Sequence, residues 1–208
     1  MTRAALIVSL AALAAAFQPA TSVATPAARV EGYEGTITAT AEGAATVIRI
    51  RGVITHEVSN AFARALDGTE GGKVVLDLDS PGGFTAAGYP MIDAVLAKRA
   101  AGTQVTTLVR GGAACESMCV GLFMAGERRE AEPGARFMVH APRSDRTGYV
   151  SIRASREMAD RLKALGASPE WIALVHREGA FSGAVDHVES AEELARRGAN
   201  VVTHLRLR

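Results

Sequence analysis

Apolar positions along this chain switch between two periods. Gly35 to Thr40 alternates Thr-Ile-Thr-Ala-Thr, the pattern of a half-buried strand, and Thr46 to Ile54 (TVIRIRGVI) predicts a second strand. Val58, Phe62 and Leu66 then fall four apart, which aligns them on one helical face, and Gly68 ends that helix. Lys73 to Asp79 (KVVLDLD) predicts a buried strand closed by Ser80-Pro81-Gly82-Gly83. A second helix, about Phe84 to Lys98, puts Ile92, Val95 and Leu96 on one stripe. Gln104 to Val109 is a further strand. It leads through a Gly111-Gly112-Ala113-Ala114 loop into a helix that opens at Ser117. Arg136 to His140 is another strand, stopped by Ala141-Pro142.

Beyond that point helices dominate. One spans about Val150 to Leu165 and ends at Gly166. Ser168 caps the next, with Pro169 at its first position. Ser190 and Glu193 form a capping box for a third, which ends near Gly198. Asn200 to Thr203 predicts a short final strand. Strands alternating with helices between residues 45 and 140 imply an α/β fold of parallel strands joined by right-handed crossovers.

The first residues follow neither period. Met1-Thr2-Arg3 gives a positive start, and Ala4 to Phe17 is almost wholly apolar. That run is shorter than the roughly 20 residues a bilayer requires. Ser22-Val23-Ala24 fits the small-x-small cleavage rule. The expectation is an export signal over residues 1–24 and one domain over 25–208, an uncleaved anchor being the other reading. There is no cysteine near the cut, so a lipid anchor is not expected. Composition adds exclusions: 23 basic and 22 acidic residues give a net charge of +1, with no block of like charge, so no nucleic-acid footprint appears.

Candidate chemistry stands at three element ends. Ser117 sits in the first turn of a helix, where free N–H groups and the helix dipole favour negative charge. It reads either as a nucleophile or as a helix cap. Gly82-Gly83 reads either as a Pro-Gly turn or as a close backbone approach with an N–H free to donate; with the Met118 N–H it could form an oxyanion hole. His140 ends a strand and reads as a general base or as a core histidine. His56, His176, His187 and His204 read as solvated. Asp145, Asp160, Glu178 and Asp186 are the acidic candidates to orient an imidazole, and spacing alone does not choose among them. Cys115 and Cys119, the only cysteines, flank Ser117. Neighbouring helical turns set Cα atoms about 6 Å apart, so the two could form a disulfide or remain buried thiols. Zinc is disfavoured because no second Cys/His pair stands at ligand spacing.

Ser80-Pro81-Gly82-Gly83, Ala114-Cys115-Glu116-Ser117-Met118 and Phe137-Met138-Val139-His140-Ala141-Pro142 together resemble the proteolytic subunit of Clp protease, ClpP. Asp186-His187-Val188-Glu189-Ser190-Ala191-Glu192-Glu193 continues the likeness, in the same order, over about residues 45–203. The resemblance implies the ClpP/crotonase spiral of β-β-α units. It implies Ser117 as nucleophile, His140 as base and Asp186 as its orienting acid, with Gly83 or Gly82 and Met118 donating to the oxyanion. It implies no cofactor, a peptide or unfolded polypeptide as substrate, and a homo-oligomer. The departures are the export signal and the two cysteines, which look more like exported, periplasmic ClpP-like proteins. No segment matches the docking elements for an ATP-driven unfoldase, so no ATPase partner is inferred. Two other readings stand beside the peptidase: a catalytically inactive binding or assembly module with the same shape, and a crotonase-like enzyme acting on an acyl thioester.

Overall fold

The computed structural model describes residues 23–24, 28–30, 33–69, 72–144 and 146–207. The expected leader, Val23 and Ala24 excepted, and Asp145 lie outside the described residues. The first five strands are β1 (Val23–Ala24), β2 (Ala28–Val30), β3 (Tyr33–Glu42), β4 (Ala45–Gly52) and β5 (Lys73–Asp79), with helix α1 (His56–Asp67) between the last two. Helix α2 (Thr85–Ala100) leads to β6 (Gln104–Val109) and β7 (Ala114–Glu116). Helix α3 (Met118–Met124) follows, then β8 (Arg128–Ala131) and β9 (Arg136–Val139). The C-terminal part holds α4 (Ile152–Ala164), α5 (Pro169–Arg177), β10 (His187–Ser190), α6 (Ala191–Arg197) and β11 (His204–Leu205).

The main sheet runs β1-β3-β4-β5-β6-β8-β11, with β2 beside β3. From β4 onward its neighbours are parallel; β1, β2, β3 and β4 pair antiparallel. This is the α/β architecture with a mostly parallel sheet that the alternation predicts. Helix α1 buries Val58, Phe62 and Leu66, and the Thr55 hydroxyl caps its start by accepting from Val58 N–H. Helix α3 is buried along its whole length, as an all-apolar seven-residue helix must be. Among the described residues no helix is long and apolar enough to cross a membrane.

Three features differ from the sequence reading. Leu96 lies off the buried stripe of α2 and stays 37% exposed. The final strand is His204–Leu205, which pairs with Glu130 and Ala131; Asn200 has φ 53°, a turn conformation, and Val201 and Val202 bury their side chains instead of pairing. Finally, β9 does not join the main sheet. It is the centre of a second, three-stranded sheet ordered β10-β9-β7.

Candidate active site

The turn between β7 and α3 carries Ser117 at φ 52° and ψ −119°, a region L-residues seldom enter. Holding a non-glycine residue there costs about 1–3 kcal/mol, which its surroundings must offset. Ser117 N–H donates to the Met138 carbonyl at 2.7 Å, and the Ser117 carbonyl accepts from Val120 N–H at 3.0 Å. A disulfide joins Cys115 in β7 to Cys119 in α3, with Cα atoms 5.1 Å apart and both residues fully buried. The hydroxyl forms no capping bond to α3. The simple helix-cap reading therefore does not hold: the backbone and the disulfide form the turn, and the side chain is left over.

The Ser80–Gly83 loop packs against this turn. Ser80 bridges Cys115, donating to the Ala114 carbonyl at 2.8 Å and accepting from Glu116 N–H at 3.0 Å. Gly82, at φ 88°, approaches so closely that a Cβ there would lie 2.6 Å from the Glu116 oxygen and 2.8 Å from Ser117 Cβ. Gly82 N–H donates to Ser80 Oγ at 3.1 Å. That commitment removes Gly82 as an oxyanion donor; its part is to let the chains meet. The N–H groups of Gly83 and Met118 have no acceptor among the described residues. Gly82→Ala is expected to displace the Ser117 turn and lower the melting temperature, read by circular dichroism, because the added Cβ would overlap Glu116 and Ser117.

The second sheet lines up the remaining candidates. Glu116 of β7 stands opposite Met138 of β9, and His187 of β10 stands opposite Val139. One residue further along, Ser117 leaves the end of β7, His140 leaves the end of β9, and Asp186 precedes β10. All three stand at the same end of adjacent strands, with His140 in the middle. Asp186 falls opposite His140 in the register, one strand spacing of about 4.8 Å away, whereas Ser117 follows Glu116 opposite Val139, one residue short of His140. Cys115, Phe137, Val139, His187 and Glu189 face the core, while Met138 and Val188 face outward. Asp186 and His140 continue the outward-facing set. No hydrogen bond joins the side chains of Ser117, His140 and Asp186 among the described residues. The other two described candidates to orient the imidazole are engaged elsewhere: Asp160 with Lys163, Glu178 with His187.

Comparison with known families matches the Clp protease model over residues 41–165, more than half of the chain. The chain belongs to the Clp protease family. Membership implies a serine peptidase. The matched span contains Ser80–Gly83, Ser117 and His140 but ends before Asp186. A search of curated proteins finds no match.

One histidine of this Clp protease family member was misread from sequence. His187, expected in solvent, is 6% exposed. Its Nδ1 lies 2.6 Å from Glu178 Oε2 and its Nε2 lies 2.7 Å from Glu189 Oε2. Glu189, 5% exposed, also accepts from Trp171 Nε1 at 2.6 Å and Arg197 Nε at 2.7 Å. The Glu189 hydrogen bond, helped by Glu178, outweighs desolvation and raises the His187 pKa above its usual 6.5. Burial alone would push Glu189 up, but bonds from His187, Trp171 and Arg197 together hold it at about 2. A raised histidine stabilises the fold fully below its unfolded value and loses that contribution as pH rises through the folded one. A lowered glutamate stabilises above about 4.5 and loses its contribution as pH falls through about 2. The network is therefore strongest between about pH 4.5 and 6.5. The melting temperature is expected to fall between pH 6 and pH 9, and to fall less in His187→Gln. An equal slope in both proteins would contradict this.

Proposed function

We propose that this chain is an exported serine peptidase that cleaves peptides or unfolded polypeptide without ATP. Ser117 Oγ attacks the scissile carbonyl carbon while His140 takes its proton. Asp186 holds the imidazole in the right tautomer and stabilises the cation that forms. Gly83 and Met118 N–H groups donate to the oxyanion, each worth about 3–4 kcal/mol of barrier in enzymes of this type. His140 returns the proton to the leaving amine, and water, deprotonated by the same imidazole, then releases the acyl group.

The strand register carries the reading: Ser117, His140 and Asp186 end or precede three adjacent strands at one end of the small sheet. Two unengaged N–H groups beside the Ser117 turn support it. A loosely set triad without substrate does not count against it, because such bonds tighten in the substrate complex. The leader pattern and the buried disulfide support export to an oxidising compartment, the periplasm. Membership of a family of oligomeric peptidases supports a homo-oligomer.

A fluorophosphonate probe is expected to label the purified protein and to leave Ser117→Ala unlabelled. Equal labelling of both would remove Ser117 as nucleophile. A folded wild type that takes no label would favour the inactive assembly module. Solution mass of the labelled species reads the oligomer, and the N-terminal sequence of protein recovered from the periplasm reads the export step.

A further inference from the structure

A cavity of about 300 Å³ lies between α2, β8 and the C-terminal end of α4. Ile92, Leu96, Ala164 and Leu165 give it apolar walls, and Arg99, Arg129 and Arg161 bring guanidinium groups to it. The three cations are not equivalent. Arg161 is already neutralised, 3.3 Å from Asp93 and 3.5 Å from Glu157, and it stacks 4.0 Å over the Tyr89 ring.

Arg99 and Arg129 have only neutral acceptors. Arg99 Nη1 donates to the Ala125 carbonyl at 2.9 Å. Arg129 Nε donates to the Val201 carbonyl at 2.9 Å, and its Nη2 donates to the carbonyl and side-chain oxygens of Asn200 at 2.8 and 3.2 Å. Arg129 Nη1 takes part in no hydrogen bond among the described residues. No carboxylate is paired with either arginine among those residues. Glu127 borders an adjoining hollow with Arg99 and Leu96 and forms no ion pair there. Arg129 is 8% exposed, and burial, with the Arg99 charge added, lowers its pKa. A buried cation beside a second cation, with no counter-charge, is an arrangement an anion relieves.

We propose that this cavity binds an oxyanion carried on a short apolar group, with Arg99 and Arg129 on the anion and Ile92, Leu96 and Leu165 around the apolar part. Guanidinium donors match the planar geometry of a carboxylate or the oxygens of a phosphate ester. The volume suits a small ligand, and an apolar pocket with a few convergent polar groups is the usual build of such sites. The exposure of Leu96 on an otherwise well-packed helix follows, since an apolar ligand group would cover it. The proposal does not depend on Ser117 being a nucleophile.

Titration calorimetry on the full-length mature protein tests it, with octanoate and inorganic phosphate as separate probes. Octanoate is expected to bind more tightly than phosphate. Arg99→Gln is expected to weaken octanoate about tenfold or more, as loss of a charge-assisted hydrogen bond does. Leu96→Asp is expected to weaken octanoate further than phosphate. Arg129→Met is expected to abolish both; because Arg129 also holds the Asn200–Val201 turn, circular dichroism accompanies that variant, and Arg99→Gln decides the matter if it unfolds. No heat with either probe at millimolar concentration, unchanged octanoate affinity in Arg99→Gln, or phosphate binding tighter than octanoate would each overturn the proposal.

Discussion

His140→Ala is expected to lower kcat for a peptide substrate about ten-thousandfold, with the melting temperature little changed. The magnitude is that of losing one member of a Ser-His-Asp set, after which the oxyanion donors and substrate binding still act. The small change in stability follows because His140 is only half-buried and forms no hydrogen bond among the described residues, so its removal orphans no partner. Asp186→Asn is expected to fall nearly as far, because an amide would present the wrong hydrogen-bonding pattern to the imidazole. The pair of results is informative. Asp186 is exposed and lies beyond the span matched by the Clp protease family, so its assignment rests on β10 register and motif order. A rate for Asp186→Asn within threefold of wild type, beside a dead His140→Ala, would remove Asp186 from the triad and keep the base.

The second large effect is expected from the Cys115–Cys119 disulfide. A loop this short restrains the unfolded chain by about 2 kcal/mol. That is the size of the cost of a serine at positive φ, about 1–3 kcal/mol. The bond spans the residue that bears the cost. Cys115→Ala/Cys119→Ala is therefore expected to let Ser117 relax towards ordinary backbone geometry. If the full 2 kcal/mol acts on that turn, hydrolysis and probe labelling fall about thirtyfold. Both cysteines are fully buried, so a reductant added to the native protein is expected to do little until denaturant opens the core. Labelling at the wild-type rate in the double variant would show that packing alone holds the turn.

Much of this was legible in the sequence, for identifiable reasons. Val58, Phe62 and Leu66, or the alternation through Ile48 and Ile50, are long enough for periodicity to speak, and Ser168-Pro169 and Ser190–Glu193 cap helices where their chemistry says they should. The second sheet was not legible. Its strands are three or four residues long, too short for a period to register. In β10 the rule of apolar inside and polar outside is inverted, because His187 and Glu189 face the core as a bonded pair while Val188 faces out. A reading that buries hydrophobes puts that strand upside down. Ser117 was legible as a helix-start residue but not as a strained one, since nothing in Glu-Ser-Met announces a positive φ. Asp186 was one of four acidic candidates, and only the likeness to ClpP chose it among them: without the register of β10 against β9, one acid before a capping box resembles many others.

The side chain of Met118 settles into α2 at Gly88, where a Cβ would lie 2.1 Å from Met118 Cγ. The place of the residue that follows the proposed nucleophile is therefore set partly by a missing side chain on α2. A library of random variants screened for hydrolysis should show position 88 as intolerant as the reacting groups themselves, although it touches no substrate. Relatives that keep the nucleophile yet carry a larger residue there would have to supply a smaller one at 118, so the two positions should drift together or not at all.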